Sequence, residues 1–301
     1  IGILVAALAS LTAILLFMEP LTRRPRLYFW LRNAFMLFTL VWLGWLVGAQ
    51  VTIINILTWI QAAFGTFNPD VILSDPLIIV LMTYVLATFF IWGRGIFCGW
   101  LCPFGSMQEL LAKIAQACRL PQVQLSPTTH RYLWPVKYII LIGLVGLSFY
   151  SMTAASIASE VEPFKTAISL KFAREWPYVI YAMTLLSAGL VVERFFCRFF
   201  CPLGAAMAIG GKLRMLTPLK RRTECGSPCH LCEQKCPISA IEPTGKINMS
   251  ECFYCLDCQI VYHDEHACPP LVAAAKRKNR SMPEVTLGPS GLPIPATASP
   301  Q

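Results

Sequence analysis

The sequence has few histidines, few charged residues and none of the common nucleotide-binding or hydrolytic motifs. Charged residues make up 14% of the 301 residues, and the histidines are His130, His230, His263 and His266. None of them lies in a long apolar run, so the paired axial histidines of a membrane haem are missing. No P-loop, Rossmann glycine fingerprint or Ser-His-Asp order stands out. The sequence therefore argues against a haem b carrier, a nucleotide-driven protein and a hydrolase.

Long apolar runs fill the first two thirds of the chain. Hydrophobic residues make up 56% of it, and a spanning helix needs roughly 20 predominantly apolar residues. The predicted spans are 1–19, 33–60, 76–97, 133–153 and 177–197. The fold class predicted for residues 1–215 is a membrane all-α bundle of about five transmembrane helices.

Positive charge is unevenly distributed between the connections. Four arginines lie between 23 and 32 and seven lysines and arginines between 194 and 222, whereas the connection at 65–75 has none. Because cytoplasmic loops carry the excess of Lys and Arg, we expect the start of this chain on the periplasmic side of a bacterial inner membrane and its C-terminal part in the cytoplasm. The net charge of +9 then indicates contact with membrane lipid and no direct nucleic-acid binding.

The last quarter of the chain carries eight cysteines in two runs, each ending in Cys-Pro. In the bacterial iron-sulfur pattern, three closely spaced cysteines hold one 4Fe-4S cluster and the fourth, before proline, holds the other. This pattern predicts a small α+β ferredoxin domain with two 4Fe-4S clusters over 216–275. The first predicted ligand set is Cys225, Cys229, Cys232 and Cys268. The second is Cys252, Cys255, Cys258 and Cys236.

Two spacings depart from that pattern. The first gap has three residues instead of two, and the gap from Cys258 to Cys268 has nine instead of three. The longer gap contains His263, Asp264 and His266, so a substituted ligand is an alternative to a plain surface loop. A pair of zinc sites is the other alternative, because zinc held by four thiolates also uses C-x2-C spacings.

A second cysteine motif, C-x3-C-P, occurs twice, 99 residues apart. The first copy is Phe97–Gly105 (FCGWLCPFG) and the second is Phe196–Gly204 (FCRFFCPLG). Cysteines four residues apart share one helix face, and the following proline disfavours helix at the second cysteine. If the duplicated segments are neighbours, the sulfurs of Cys98, Cys102, Cys197 and Cys201 converge.

Three interpretations of these four cysteines stay open. They form a redox or metal centre, they perform reversible dithiol chemistry within each pair, or they are small apolar residues at a helix boundary. The metal is also open, since soft thiolates suit copper(I), zinc and iron-sulfur clusters. Gln50 and Asn55, polar residues in an apolar run, line a helix interface or a quinone site. The basic and proline-rich stretch 276–301 predicts a disordered tail.

Taken together, these motifs resemble the membrane polyferredoxins that include the NapH, CcoG and NosR/NirI groups. The segment from Glu251 to Gln259, continuing to Cys268 and Leu271, is most similar to NosR, where the last cysteine gap is similarly lengthened. The resemblance covers roughly residues 1–280.

What this resemblance implies is a protein needed for expression and activity of nitrous oxide reductase. Its relatives carry an FMN-binding domain outside the membrane, so this chain is expected to be a fragment lacking it. The expected function is an iron-sulfur electron carrier, not a stand-alone catalyst, that moves electrons between cytoplasmic clusters or quinol and a periplasmic flavin. Expected partners are quinol, nitrous oxide reductase or its maturation proteins, and an unidentified cytoplasmic donor. Alternatives are a NapH-like quinol dehydrogenase subunit, a redox-sensing regulator and a copper-handling accessory protein.

Overall fold

Helices account for most of the ordered structure. This computed structural model describes residues 1–64, 76–123 and 125–281. The α-helices are α1 (Gly2–Leu16), α2 (Met18–Thr22), α3 (Pro25–Phe38), α4 (Ile53–Phe64), α5 (Pro76–Trp92), α6 (Pro103–Ala117), α7 (Pro127–Leu133), α8 (Val136–Tyr150), α9 (Met152–Ala158), α10 (Trp176–Val191), α11 (Phe195–Phe199), α12 (Pro202–Gly210), α13 (Leu231–Gln234), α14 (Asp257–His263) and α15 (Pro269–Ser281). Shorter π-helical turns occur at Thr39–Leu46, Phe97–Leu101 and Lys165–Ser169.

Two helices in the described ranges are long and apolar enough to cross a membrane. They are Pro25–Leu46, with 22 residues, and Thr128–Tyr150, with 23. Three more apolar helices, Gly2–Leu16, Leu77–Trp92 and Trp176–Val191, are shorter than a full span. Membrane insertion is thus supported, and the prediction of five complete spans is confirmed only in part.

The span predicted at 33–60 is wrong, because the helix is interrupted in its middle. Residues Thr39–Leu46 continue α3, Gly48 adopts a φ of +71°, and helix resumes only at Ile53. The N–H of Ile53 donates to the buried carboxylate of Glu162 over 3.0 Å. Non-helical backbone at membrane depth is tolerated where it is enclosed by protein, and this interruption lies beside the candidate site.

The spans predicted at 76–97 and 177–197 also end early. Helix α5 stops at Trp92, where Gly93 has a φ of +88°, and α10 stops at Val191 before Arg194, with a φ of +53°. Each C-x3-C-P motif therefore lies after an apolar helix, in a short separate helical turn.

The C-terminal domain contains less regular structure than its expected α+β class. In residues 216–275, all within the described part of the chain, the β pairing consists of isolated bridges, Cys225 with Cys229 and Ile241 with Ile247, with no strand. Gly226 and Gly245, both with positive φ, pack backbone to backbone beside these bridges, so the chain turns before a ladder can extend.

Backbone hydrogen bonds join the C-terminal domain to the helical bundle. The N–H groups of Met215 and Leu216 donate to the carbonyls of Phe90 and Ile91, at 2.9 and 2.8 Å, which satisfies acceptors at the end of α5. At the other end of the domain, α15 continues to Ser281, beyond the boundary predicted at 275. The remainder of the predicted tail lies outside the described residues.

Aromatic rings form the core between the two C-x3-C-P motifs. Phe104 of the first motif and Phe196 of the second are 5.4 Å apart between ring centroids, and Phe164 contacts both at 5.1 and 5.7 Å. All three rings are fully buried. The connection between α9 and α10 thus packs against the duplicated motifs and holds them as neighbours.

Candidate functional site

The second cysteine of each C-x3-C-P motif begins a helix. Cys102 and Cys201 are extended, as expected for residues before proline, and Pro103 and Pro202 occupy the first helical turn. The Cys102 sulfur accepts a hydrogen bond from the N–H of Gly105 over 3.4 Å, and Cys201 accepts the equivalent bond in the second copy over 3.2 Å. Both sulfurs therefore lie at the positive end of a helix, which favours negatively charged thiolate.

The structure brings the four cysteines of the two motifs into one buried region. Cys102, Cys197 and Cys201 are at most 8% exposed, and Cys98 is partly buried. Electrostatic interactions join Cys197 to Cys98 and Cys102, and Cys201 to Cys98 and Cys197. We call these four residues the quartet. The duplicated motifs are neighbours in the structure, which is the condition under which the sequence predicted that their sulfurs converge.

Two amides contact the quartet sulfurs. The Cys197 thiol donates to Oε1 of Gln108 over 3.1 Å, and Nε2 of Gln50 lies 3.7 Å from the Cys102 sulfur. Gln50 reaches this position because helix is interrupted between Leu46 and Ile53. The sequence predicted a helix interface or a quinone site for Gln50. The structure shows that its amide contacts a quartet cysteine.

Glu109 lies beside the quartet, fully enclosed between cations. Its two carboxylate oxygens accept from Nε and Nη2 of Arg32, both at 2.9 Å, and it also pairs with Arg194 and with Lys113 at 3.0 Å. Arg32 and Glu109 are each 3% exposed. A buried carboxylate needs such partners, because an unpaired buried charge is strongly destabilising.

Two arginines cross between the motifs. Arg94 precedes the first motif and donates to the carbonyl of Gly204 in the second, at 2.8 Å. Arg194 precedes the second motif and donates to the carbonyl of Cys98 in the first, at 2.7 Å. Both side chains are buried. Their hydrogen bonds join the two copies of the motif.

The same two arginines hold one residue of the C-terminal domain. The ring of Phe253 lies between them, 5.0 Å from the Arg94 guanidinium carbon and 4.8 Å from that of Arg194. Glu251, two residues earlier, pairs with Arg94 at 3.0 Å and with Lys137 at 2.6 Å. Burial opposes ionisation of Glu251, but these two cations outweigh it and hold its pKa below the usual range.

The second predicted cluster set is the more deeply buried of the two. Cys236 and Cys252 are buried, and Cys255 and Cys258 partly so. Burial raises the pKa of Cys252 to about 11 and that of Cys258 to about 12, and neighbouring thiols of the same set add to both increases. Backbone N–H groups already point at the sulfurs, from Ala240 to Cys236 and from Tyr254 to Cys252.

Three residues of the first predicted set, Cys225, Cys229 and Cys232, line one small pocket together with Arg221. Burial raises the pKa of Cys232, and the thiols of Cys225 and Cys229 contribute to that increase. Cys268 is buried immediately before α15, and its place as the fourth ligand stays a prediction.

Hydrogen bonding around the predicted donor sets is compatible with iron-sulfur ligation. Within the described parts of the chain, no three His, Cys, Asp or Glu side chains are grouped so that they could hold one metal ion. A cubane cluster is larger than an ion and keeps its thiolates farther apart. Hydrogen bonds from backbone N–H to sulfur, as seen at Cys236 and Cys252, are a usual feature of cluster sites.

Asp264, one of the polar residues between Cys258 and Cys268, forms a local turn, and the choice between a plain loop and a substituted ligand stays a prediction. The Asp264 carboxylate accepts from the N–H groups of His266 and Ala267, at 2.9 and 3.2 Å, as a local turn. This turn is compatible with a loop that returns the chain to Cys268.

Known families match both halves of the chain. The model of the NosR family matches residues 223–279, and that of a 4Fe-4S binding domain matches 74–121 and 176–220, the two segments with C-x3-C-P motifs. Regulatory protein NosR of Pseudomonas aeruginosa is 50% identical over 94% of this chain and 40% of its own length. A shorter NosR sequence from that species is 51% identical and is covered over 94% of its length. The chain belongs to the NosR/NirI family.

The family relationship extends beyond NosR itself. Protein NirI of Paracoccus denitrificans is 45% identical over 92% of this chain and 40% of its own length. The chain thus spans about 40% of the length of its longer NosR/NirI relatives. No solved structure matches it significantly. The matched 4Fe-4S binding domain and the family relationship identify this chain as an iron-sulfur protein related to NosR and NirI.

Sequence reasoning overlooked several residues around the quartet, chiefly Gln108, Glu109 and Phe253. Glu109 carried a signal, because an acidic residue about two helical turns after Cys-Pro lies in a region whose other charges are positive. Gln108 and Phe253 carried none, since an amide in a helix and an aromatic residue between cysteines are common.

Proposed function

We propose that this chain is the membrane electron-transfer part of a NosR-like protein. Its C-terminal domain holds two 4Fe-4S clusters, one on each predicted cysteine set, and the quartet holds a further redox centre. Electrons pass between a donor or quinol on the cytoplasmic side and a flavin on the periplasmic side, in support of nitrous oxide reductase. The observation that carries the proposal is the convergence of two duplicated thiol pairs at one buried site against the cluster domain.

The protein's own residues prepare the quartet for a negatively charged centre. Helix termini at Cys102 and Cys201 and the cations Arg94 and Arg194 supply positive potential. Bound clusters would each supply a one-electron acceptor, with potentials tuned by hydrogen bonds to sulfur and by exposure. Since Glu109 and Glu251 neutralise part of this positive charge, they help to set the affinity of the quartet for electrons.

Charge placement supports the proposed orientation. Arg32 contacts the cluster domain through the carbonyl of Tyr254 and Lys137 through Glu251, so both lie at the end of the bundle that faces this domain. A basic bundle end is typical of the cytoplasmic surface. We therefore place the cluster domain in the cytoplasm and the start of the chain at the periplasm.

The test is iron and sulfide analysis with electron paramagnetic resonance of the anaerobically purified protein, before and after dithionite reduction. We expect about eight irons per chain from the two clusters, and more if the quartet binds its own centre. Cys98→Ser with Cys197→Ser is expected to remove only the surplus. Cys118→Ser is the matched control, because Cys118 is exposed and outside all three sites. Zinc or copper with no cluster signal in protected protein would contradict the proposal.

A second function, redox-dependent regulation, is favoured by the name of two relatives, Regulatory protein NosR. The chain would then report cluster redox state to a partner through its conformation. Cysteine variants distinguish the two: regulation predicts altered transcript of the reductase even when electrons reach the reductase from another donor, whereas electron transfer alone predicts unchanged transcript.

A further inference from the structure

The two segments that contain the C-x3-C-P motifs differ at several positions that face the cluster domain, among them two glycines of the first copy. Where the first copy has Gly95 and Gly99, the second has Arg194 and Arg198 at the same offset of 99 residues. The cysteines, the proline and the final glycine are unchanged. This asymmetry gives the copies different contacts with the C-terminal domain.

In the first copy, the two glycines make room for the loop from Cys252 to Cys255. A Cβ on Gly99 would overlap the carbonyl of Phe253, and one on Gly95 would overlap the ring of Tyr254 and lie 2.5 Å from the carbonyl of Cys252. Any side chain at either position would thus push the loop away.

The carbonyl groups along this loop are also bound by the helical bundle. Trp100 Nε1 donates to the carbonyl of Tyr254 over 3.1 Å, and the Tyr28 hydroxyl donates to that of Cys255 over 2.6 Å. Tyr254 and Leu256 have positive φ, which is costly for such residues and persists where surrounding contacts fix it. The loop is therefore held in a defined conformation against the bundle.

In the second copy, Arg198 contacts another part of the same cluster set. Its Nη1 donates to the carbonyl of Pro237, next to Cys236, and its Nη2 donates to the hydroxyl of Ser239, both at 3.3 Å. Both copies thus contact segments that carry predicted ligands of the second set.

The first set has different surroundings. The pocket at Cys225, Cys229 and Cys232 is lined by residues between 221 and 245, all of the C-terminal domain. The three cysteines are only partly buried. No described residue of the helical bundle is therefore among those that line this pocket.

We propose that the two cysteine sets act in a fixed order, with the second set as the inner site that exchanges electrons with the quartet and the first set as the outer site that meets the electron-transfer partner. This inference rests on the proposed function. Cys252, Cys255, Cys258 and Cys236 would hold the inner cluster, which would supply one electron at a time to a centre held by the quartet, with no bond formed or broken. The route is short: Cys252 is bonded to Phe253, whose carbonyl contacts Gly99, which is bonded to Cys98.

Gly99→Ala tests the contact without altering any cysteine. Gly143→Ala is the matched control, because a Cβ there meets nothing within 4 Å. In hydrogen exchange of the full chain, we expect Gly99→Ala to raise exchange about tenfold or more in the segments 95–102 and 251–256, since overpacking of this size favours local opening. This readout needs no iron, so it tests the contact even if the proposed function fails.

The order of the sites is tested by removal of iron with a water-soluble ferrous chelator. We expect two phases, with a fast phase that disappears in Cys225→Ser and a slow phase that disappears in Cys252→Ser. Gly99→Ala should accelerate only the slow phase, about tenfold, and Gly143→Ala neither phase.

Two results would overturn the inference. One is hydrogen exchange in Gly99→Ala that equals Gly143→Ala in both segments. The other is loss of the fast phase in Cys252→Ser, which would place the second set outside. If Gly99→Ala does not accumulate, Phe253→Leu against Tyr262→Leu repeats the comparison, because both rings contact arginine but Tyr262 contacts Arg222 within the C-terminal domain.

Discussion

The two C-x3-C-P motifs share one local structure but make different long-range contacts. In each, a cysteine caps a helix that begins with proline, and a glycine N–H binds its sulfur. Outside this shared geometry, the copies contact the C-terminal domain differently. Glycines of the first copy pack closely against the loop from Cys252 to Cys255, whereas arginines of the second copy contact Phe253, Pro237 and Ser239. The comparison shows that the duplicated part builds the quartet, while the diverged part positions the cluster domain.

The arginine contacts of the second copy depend most on Glu109, which pairs with Arg194. Glu109→Gln would leave Arg32 and Arg194 buried without their carboxylate, and we expect a loss of about 3–5 kcal/mol in stability. The measurement is the fraction of protein that stays monodisperse in detergent across a heating series. Glu19→Gln is the control, since the side chains of Glu19 and its partner Lys220 are 45% and 55% exposed, where a pair contributes about 1 kcal/mol or less. Equal losses of stability in both variants would mean that the buried ion pairs of Glu109 stabilise the protein no more than an exposed pair does.

Substitution of the glycine that ends each motif is expected to cause a loss of stability of intermediate size. A Cβ on Gly105 would lie 2.9 Å from the Cys98 carbonyl, whereas the nearest atom to one on Gly204 is 3.4 Å away, at the end of Arg94. We expect Gly105→Ala to cost about 1–3 kcal/mol and Gly204→Ala less, because backbone cannot move as easily as a long side chain. Chemical denaturation in detergent shows which variant loses more stability. A larger loss in Gly204→Ala would mean that the glycine of the second motif, and not that of the first, is the more tightly packed.

Arg198→Gln should give the smallest effect of the three. It removes two hydrogen bonds of 3.3 Å to Pro237 and Ser239, which together contribute about 1 kcal/mol. Faster hydrogen exchange in 236–240, with unchanged exchange in 97–101, would confirm that the second motif contacts Cys236 independently of the glycine surface. Arg222→Gln, which removes a contact within the C-terminal domain, serves as the control.

Much of this arrangement was predictable from local sequence. The apolar runs indicated the helices, and the spacing of Cys98, Cys102 and Pro103 indicated a helix boundary, because proline restricts the residue before it. The duplication indicated that the sulfurs would converge if the two segments were neighbours, and only the structure supplied that condition. By contrast, the interruption between Leu46 and Ile53 could not be predicted, since it depends on Glu162 and on the quartet packed against it from distant parts of the chain.

The sequence by itself determined the cysteine sets, the apolar helices, the duplicated motif and the family, because each depends on residue type and spacing along one segment. Only the tertiary structure decided which residues surround those cysteines. Glu109 and Glu251 are separated by 142 positions, yet each pairs with an arginine that contacts Phe253. Such pairings follow from charge burial and from the space left by Gly95 and Gly99, and both exist only once distant segments have packed together.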